Sequence, residues 1–509
     1  MRPFTHECGG TSDAGFVNAA PLFVDEPMME GHGDRTAFVT PAGRTTYAEL
    51  HELTDRTANG LRALGVEPEH RVAIAMPDGV GFAATFFAAL KLGAVAVPVN
   101  TRLADSRYRE LFHDARVRVL VTTSDLPAAR ASEGTGVRAT TTFEDLVRAA
   151  PAHVKAEPVG PDAMAFWLYT SGTTGLPKAA VHCHRDLVAG HAYGVDVVGY
   201  RSDDRVFATS RLFFAYALAN GFVLPLAVRA SVYLSPAWPD AALVRQVALD
   251  YRPTIFVSVP TMYGRLLRAD LPRDTFASTR LCTSAGERLP ADIYEAWRER
   301  FGVEILDGMG STETIFMLLS NRPGASRAGS SGRPVPGTEV RLLDADGRDV
   351  PDGAEGVLYA KSASVSPAYW NRIDVSRRAF VGEWFRTGDI YLRDADGFYH
   401  HRGRADEFFK VAGQWVVPAD VETLLTSHPG VSEAGVAGAE DTAGLVKAFA
   451  FVVPKPGIGA DVLIGELTAL AEANLPPHAR PRRILVVDDL PRTATGKLQR
   501  FLLKERVRN

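Results

Sequence analysis

Up to about residue 330, short apolar runs alternate with stretches whose apolar residues recur at helical spacing. RVAIAMP, GFAATFFAALKLG and AVAVPVN come in succession, and TIFVSVP, TMYGRLLR, RLCTSAG and PADIYEAWRERFG follow later. Short apolar runs bounded by Gly or Pro read as buried strands, and longer 3.6-spaced patterns as helices. Strand, helix and strand in series predict mostly parallel sheets covered on both faces, with ligand loops at the strand ends. The longest apolar stretch, 81–100, is interrupted by Lys91 and Pro98. It predicts a helix over 82–92 feeding a buried strand over 94–99 rather than a membrane span.

From about Gly332 the pattern changes. DADG occurs twice, at 344–347 and 394–397, and PDG once, between short alternating runs. These are hairpin signals. After Arg404 a helical pattern near 418–427, strands in EAGVAG and VKAFAFVVP, and a second helix over 461–474 predict a compact α+β domain. No internal repeat or low-complexity linker separates it from what precedes, so the boundary is expected to be a tight hinge.

A chain of 509 residues exceeds what one core normally supports, which agrees with at least two domains. Its 46% hydrophobic and 23% charged residues are ample for large cores and far from the signature of disorder. A formal charge of -4 gives no electrostatic case for nucleic acid as a partner. Cys8, Cys183 and Cys282 are too few and too scattered for a disulfide framework or a zinc site. The first residues lack the apolar core of a signal peptide. A cytoplasmic protein with no membrane partner is expected.

Candidate chemistry concentrates in five segments. YTSGTTGLPK (169–178) crowds small and hydroxylic residues between an apolar run and a lysine. Gly172 and Gly175 let the backbone approach an anion, Ser171, Thr173 and Thr174 add hydroxyl donors, and Lys178 brings a mobile cation. Pro177 before and Ala179 after that lysine exclude the Walker loop, which needs GK followed by Ser or Thr. DGMGSTET (307–314) sets Glu313 beside hydroxyl residues. WFRTGD ends at Asp389, HHRGRADEFFKVAGQWVVPADVE carries Arg404, Asp406, Lys410 and Gly413, and LPRTATGK ends at Lys497.

In this order the five segments resemble the adenylate-forming superfamily of acyl-CoA synthetases, adenylation domains and luciferases, over nearly the whole chain. RLFFAYALANG, TSAGERLP and DGMGSTETIFMLLSNRPG are most similar to its benzoate-CoA ligase branch. The resemblance implies an α/β fold: a large N-terminal domain, 1–405, of mostly parallel sheets plus a small β-barrel, and a small mobile α+β domain, 406–509, carrying the catalytic lysine.

It also implies a reaction, in which ATP activates an aromatic acid as an acyl-adenylate and a thiol then attacks the acyl carbonyl. The loop from Thr170 to Lys178, with Ser171, Gly172, Thr173, Thr174 and Gly175, is assigned to the β- and γ-phosphates, Glu313 to Mg2+ and Thr312 to the α-phosphate region. Gly286, Glu287 and Arg288, with Asp307, Gly308 and Met309, match the nucleotide segments. Asp389 and Arg404 match ribose contacts, and Lys497 matches the lysine that bridges carboxylate and α-phosphate. Asp406 falls at the hinge, and Lys410, Gly413 and Trp415 at the tunnel for the pantetheine arm of coenzyme A.

For the acid, Phe214, Ala215, Tyr216, Ala219, Gly308 and Ile315 correspond to the ring pocket. With Phe213 they offer aromatic and small side chains but no cation, which suits a flat monocarboxylic acid. Phe316 stands where the resemblance implies a histidine in benzoate-activating relatives, which counts against unsubstituted benzoate and leaves room for a hydroxylated, aminated or heteroaromatic acid. The acceptor thiol stays open between coenzyme A and the phosphopantetheine of a separate carrier protein. A nucleotide-binding sensor without catalysis is the third reading, disfavoured by the full set of Lys178, Glu313, Asp389, Arg404 and Lys497. His182 and His184 flank Cys183 in VHCHRD, but no complementary ligand set stands out, and alternation along a strand splits the trio between faces.

Overall fold

The computed structural model describes residues 18–148, 150–170, 177–441, 444–492 and 498–508. They gather into two compact units. One runs to Glu339 and includes Ala360–Phe385; the other comprises Val340–Tyr359 and the chain from Arg386 onward.

The first unit is built on two sheets. In a six-stranded one the order is Ala139–Thr141, Val117–Thr122, Arg71–Ala75, Val95–Pro98, Met164–Thr170 and Lys178–Cys183, all neighbours parallel except the last, antiparallel pair. The nine-stranded one has a parallel centre, Ile305–Gly310, Leu281–Ser284, Ile255–Ser258, Arg205–Ala208, Ser231–Tyr233 and Thr36–Thr40. Met317–Ser320 and Gly43–Thr46 flank this centre antiparallel, and Arg333–Pro334 closes one end. The predicted helix and strand near residue 90 are present as Val80–Lys91 and Val95–Pro98.

That helix is apolar on every side because it is buried on every side. Phe86 and Phe87 lie against Phe222, and Phe86 also against Phe166, as part of the largest core cluster. Lys91 at its last turn is 1% exposed, and its ammonium is held by Asp25 at 2.7 Å and Asp55 at 2.6 Å. A buried ammonium needs such partners. A second core packs Trp297 against Phe256, Tyr263, Phe276 and Phe301. Among the described residues no helix is long and apolar enough to cross a membrane.

In the second unit both DADG turns form, with Gly347 N–H donating to Asp344 O and Gly397 N–H to Asp394 O. Strands Thr338–Leu343, Glu355–Ser362, Trp384–Arg393 and Tyr399–Arg404, each wholly or largely in this unit, pair in one sheet. Farther along, helices Pro418–Thr426 and Ala460–Asn474 accompany a three-stranded sheet of Val431–Glu440, Val446–Pro454 and Arg483–Val486, the α+β pattern read from the sequence.

Candidate active site

Thr170 ends one strand of an antiparallel hairpin and pairs with Lys178, which begins the other. The segment between them therefore leaves and re-enters the sheet at one point. Of the predicted phosphate loop, Ser171, Gly172, Thr173, Thr174 and Gly175 lie outside the described residues. Lys178 is half-buried, its ammonium 5.0 Å from the centroid of the Tyr369 ring.

The connection between strands Ile305–Gly310 and Met317–Ser320 carries Thr312, Glu313 and Ile315. Three successive carbonyls in it are each held by a distant donor. Thr312 O accepts from His182 Nε2 at 2.7 Å, Glu313 O from Ser366 N–H at 2.7 Å, and Thr314 O from Ser364 Oγ at 2.7 Å. Ile315 has φ +53, a conformation that strains a β-branched residue, and Phe316 N–H turns back onto Thr314 O at 2.5 Å. Tyr369 Oη donates to Glu313 Oε1 at 2.7 Å. The other carboxylate oxygen accepts no hydrogen bond among the described residues, and a half-buried carboxylate with one oxygen to spare suits a hard divalent cation.

At the carboxyl ends of the parallel strands Ser258, Ser284 and Asp307 stand side by side in register. Asp307 Oδ1 and Ser284 Oγ are buried and make no well-formed hydrogen bond among the described residues, although the Ser284 hydroxyl stands close enough to favour the Asp307 carboxylate, so both keep capacity for a polar ligand edge. Burial pushes the Asp307 carboxyl up to about 8, against the Ser284 hydroxyl, the backbone N–H groups of Leu289 and Gly308 and the charge of Arg288. Gly308 has no room for a side chain, since a Cβ there would lie 2.5 Å from Leu319 O. Gly286, Glu287 and Arg288 follow strand Leu281–Ser284, and Glu287 Oε2 accepts from Thr261 Oγ1 at 2.6 Å. Met309 is buried in the strand of Asp307.

Phe214 precedes a short helix, Ala215–Leu218, which runs into a π-helical turn, Ala219–Val223. Such turns recur at ligand sites because they re-aim side chains. Tyr216 Oη and Thr283 Oγ1 lie 2.8 Å apart, and burial raises the phenol well above its ordinary range, so it stays neutral. Tyr216 thus reaches from this helix to the strand next to that of Asp307. Phe316 is 3% exposed and fills the space that a side chain at Gly190 would need.

In the second unit Asp389 and Arg404 face each other across paired strands. Arg404 Nη1 donates to Thr387 O at 2.9 Å and lies 3.5 Å from Asp389 Oδ1, while Nε reaches Asp406 Oδ1 at 3.2 Å. Burial alone would weaken the charge of Arg404, but the two carboxylates outweigh it and raise its pKa. Lys410 and Gly413 belong to a two-residue hairpin between strands Phe409–Val411 and Gln414–Val416. Ala412 and Gly413 both have positive φ, +50 and +81, as a tight primed turn requires. Trp415 lies in the second of these strands, with its side chain outside the described part. Lys497 lies outside the described residues.

The AMP-binding enzyme model matches residues 26–370, and its C-terminal domain model matches residues 420–497. The chain belongs to the AMP-binding enzyme family. A benzoate–CoA ligase of Thauera aromatica is 40% identical over 503 residues, 96% of this chain and 95% of that one. The crystal structure of a benzoate CoA ligase from Burkholderia xenovorans LB400 matches with a TM-score of 0.89 at 41% identity, covering 96% of this chain and all of that one. The anthranilate CoA ligase AuaEII, solved in complex with anthranoyl-AMP, matches with a TM-score of 0.91 at 36% identity, covering 97% and 98%.

Within this AMP-binding fold, Tyr369 and the pair His182–Asp186 touch the Glu313 connection, and the sequence reading gave them no part in it. His182 Nδ1 lies 2.9 Å from Asp186 Oδ2, and the imidazole stacks on Phe166 with centroids 4.7 Å apart. The available signal was a histidine and an aspartate four residues apart in HCHRD. His184 is a separate case: its Nδ1 accepts from Ala19 N–H, and burial pushes it down to about 4, so it is a neutral core residue. Burial pushes the thiols of Cys183 and Cys282 up to about 12, which makes them poor nucleophiles. Among the described residues the cluster Asp25, His51 and Asp55 has metal-ligand spacing, but the Lys91 ammonium already stands between its carboxylates.

Proposed function

We propose that this AMP-forming acid–thiol ligase joins an aromatic monocarboxylic acid to coenzyme A through an acyl-adenylate. The observation that carries the reading is the end-to-end likeness to aryl-acid CoA ligases, at 40% and 41% identity. The residues assigned to the acid agree with it, being aromatic, small or aliphatic, with the neutral Tyr216–Thr283 hydroxyl pair as polar feature.

In the first step a carboxylate oxygen attacks the α-phosphorus of ATP and the bond to pyrophosphate breaks. In the second, the thiol sulfur attacks the acyl carbon and AMP leaves. We assign Lys178 and the preceding loop to the polyphosphate, Thr312 to the α-phosphate, and the Asp307 row with Gly286–Arg288 to the base. Asp389 and Arg404 are assigned to the ribose, Lys497 to the reacting oxygens, and Lys410, Gly413 and Trp415 to the pantetheine path. Glu313 is the group that would hold Mg2+, whose charge offsets that of the departing pyrophosphate. The same proposal places a domain boundary at 405/406 with Asp406 as hinge, and the protein in the cytoplasm, where ATP and coenzyme A are at hand.

The test is mass spectrometry of products from the purified chain with ATP, magnesium, coenzyme A and a panel of benzoic, hydroxybenzoic, aminobenzoic, heteroaromatic and short aliphatic acids. An aryl-CoA with AMP is expected. Acyl-adenylate without thioester would move the acceptor to a carrier protein, and turnover of aliphatic acids alone would refute the aromatic pocket.

A further inference from the structure

Tyr369 lies between two of the charged groups assigned above. Its hydroxyl donates to Glu313 Oε1 at 2.7 Å, and the Lys178 ammonium stands over its ring at 5.0 Å from the centroid. The ring is 6% exposed and its backbone is fixed to the strand that starts at Lys178. Ala180 and Tyr369 form an antiparallel bridge, Val181 N–H donates to Ala368 O, and Trp370 N–H donates to Ala179 O. Trp370 in turn donates from Nε1 to Asp114 O at 2.9 Å and packs on Trp167 with centroids 4.5 Å apart. These contacts fix the backbone from which the phenol projects.

We propose that Tyr369 is a positioning residue with two tasks. It holds one oxygen of Glu313 so that the other is directed to the metal–nucleotide complex, and it keeps Lys178 and Glu313 from pairing with each other. This rests on the assignment of Glu313 to the metal and Lys178 to the polyphosphate.

An ammonium and a carboxylate sharing a half-buried site attract strongly, and a direct ion pair would occupy both groups before the nucleotide arrives. A phenol prevents that without neutralising either. It gives the carboxylate one charge-assisted hydrogen bond and offers the ammonium a π face. An aliphatic side chain would supply neither contact, and phenylalanine would supply only the second.

The experiment is calorimetric titration of ATP, with and without Mn2+, into the full chain and its variants Tyr369→Phe, Tyr369→Leu and Glu313→Gln. In Tyr369→Phe the gain in ATP affinity conferred by Mn2+ should shrink about tenfold, as loss of one hydrogen bond to a charged group implies. In Tyr369→Leu that gain should shrink as far, and metal-free ATP affinity should fall about tenfold as well, because Lys178 collapses onto Glu313. A purely structural role would lower both affinities together in both variants. If Glu313→Gln loses the Mn2+ gain but both Tyr369 variants keep it, Tyr369 has no positioning role while Glu313 keeps its assignment. If Glu313→Gln retains the full gain, the assignment of Glu313 fails and the proposal fails with it.

Discussion

Asp307→Asn isolates the effect of one buried carboxyl with almost no change in shape. The Asp307 carboxyl sits at about 8 in the folded chain because it is buried. In an unfolded chain it would titrate near 3.9. Between those limits the folded state holds a proton that the unfolded state has lost. The stability linked to that proton is therefore complete below about pH 4, declines as pH rises, and is gone above about 8. At 1.36 kcal/mol per pH unit the full span is on the order of 5 kcal/mol. Asparagine carries no such proton, so this pH dependence should vanish in the variant. Urea unfolding of the first unit, followed by tryptophan fluorescence between pH 5.5 and 9, reads the difference directly. Wild type should lose ground against Asp307→Asn steadily from pH 5.5 to about 8, and the gap should then stay constant to pH 9. Parallel pH profiles for the two proteins would refute the argument, because they would mean that Asp307 is already ionised at pH 5.5.

Two further predictions rest on single residues. Cys183 and Cys282 should stay unmodified by iodoacetamide at pH 8 in the native protein and react fully in urea, as peptide mass spectrometry would record; native labelling of either would contradict their burial and raised pKa. At Ile315 the usual order of small substitutions should invert. Both Ile315→Ala and Ile315→Gly forfeit the buried side chain, but glycine alone accepts φ +53 without strain. Ile315→Gly should therefore be the more stable of the two by about 1 kcal/mol in the same urea assay, and the opposite order would show that the backbone relaxes on truncation.

The alternation of apolar runs gave the parallel sheets, and the DADG turns gave the hairpins, because both patterns are local. The helix at Val80–Lys91 was legible for the same reason. The lysine that interrupts its apolar run was not, since its partners Asp25 and Asp55 lie 66 and 36 residues away in the chain. Motif order singled out Glu313, Asp307, Asp389 and Arg404 as candidates, whereas the groups that hold Glu313 in place were invisible. Tyr369 is 56 residues from Glu313, and His182 is 130 residues from Thr312. No periodicity joins positions so far apart, and a tyrosine before a tryptophan or a histidine beside a cysteine has nothing distinctive in the sequence. The strain at Ile315 was equally hidden, because no local pattern asks a β-branched residue to take a positive φ.

That strain explains the number of restraints around it. A β-branched residue in the left-handed region costs on the order of 1–3 kcal/mol, and each hydrogen bond returns a net of about 0.5–1.5 kcal/mol. One bond would not secure the turn. Holding the carbonyls of Thr312, Glu313 and Thr314 from three directions does, and it fixes the Glu313 side chain before any ligand binds. The choice of histidine at position 182 follows from the same requirement. Its Nε2 faces a carbonyl, which can only accept, so Nε2 carries a hydrogen. Its Nδ1 lies 2.9 Å from Asp186 Oδ2, and the same oxygen accepts from Cys183 N–H, which ties the ring to the backbone of its own strand. Stacked on Phe166 and held at both ring nitrogens, the fully buried imidazole keeps Nε2 aimed at Thr312 O, so this restraint on the Glu313 connection is set by rigid packing rather than by a mobile side chain.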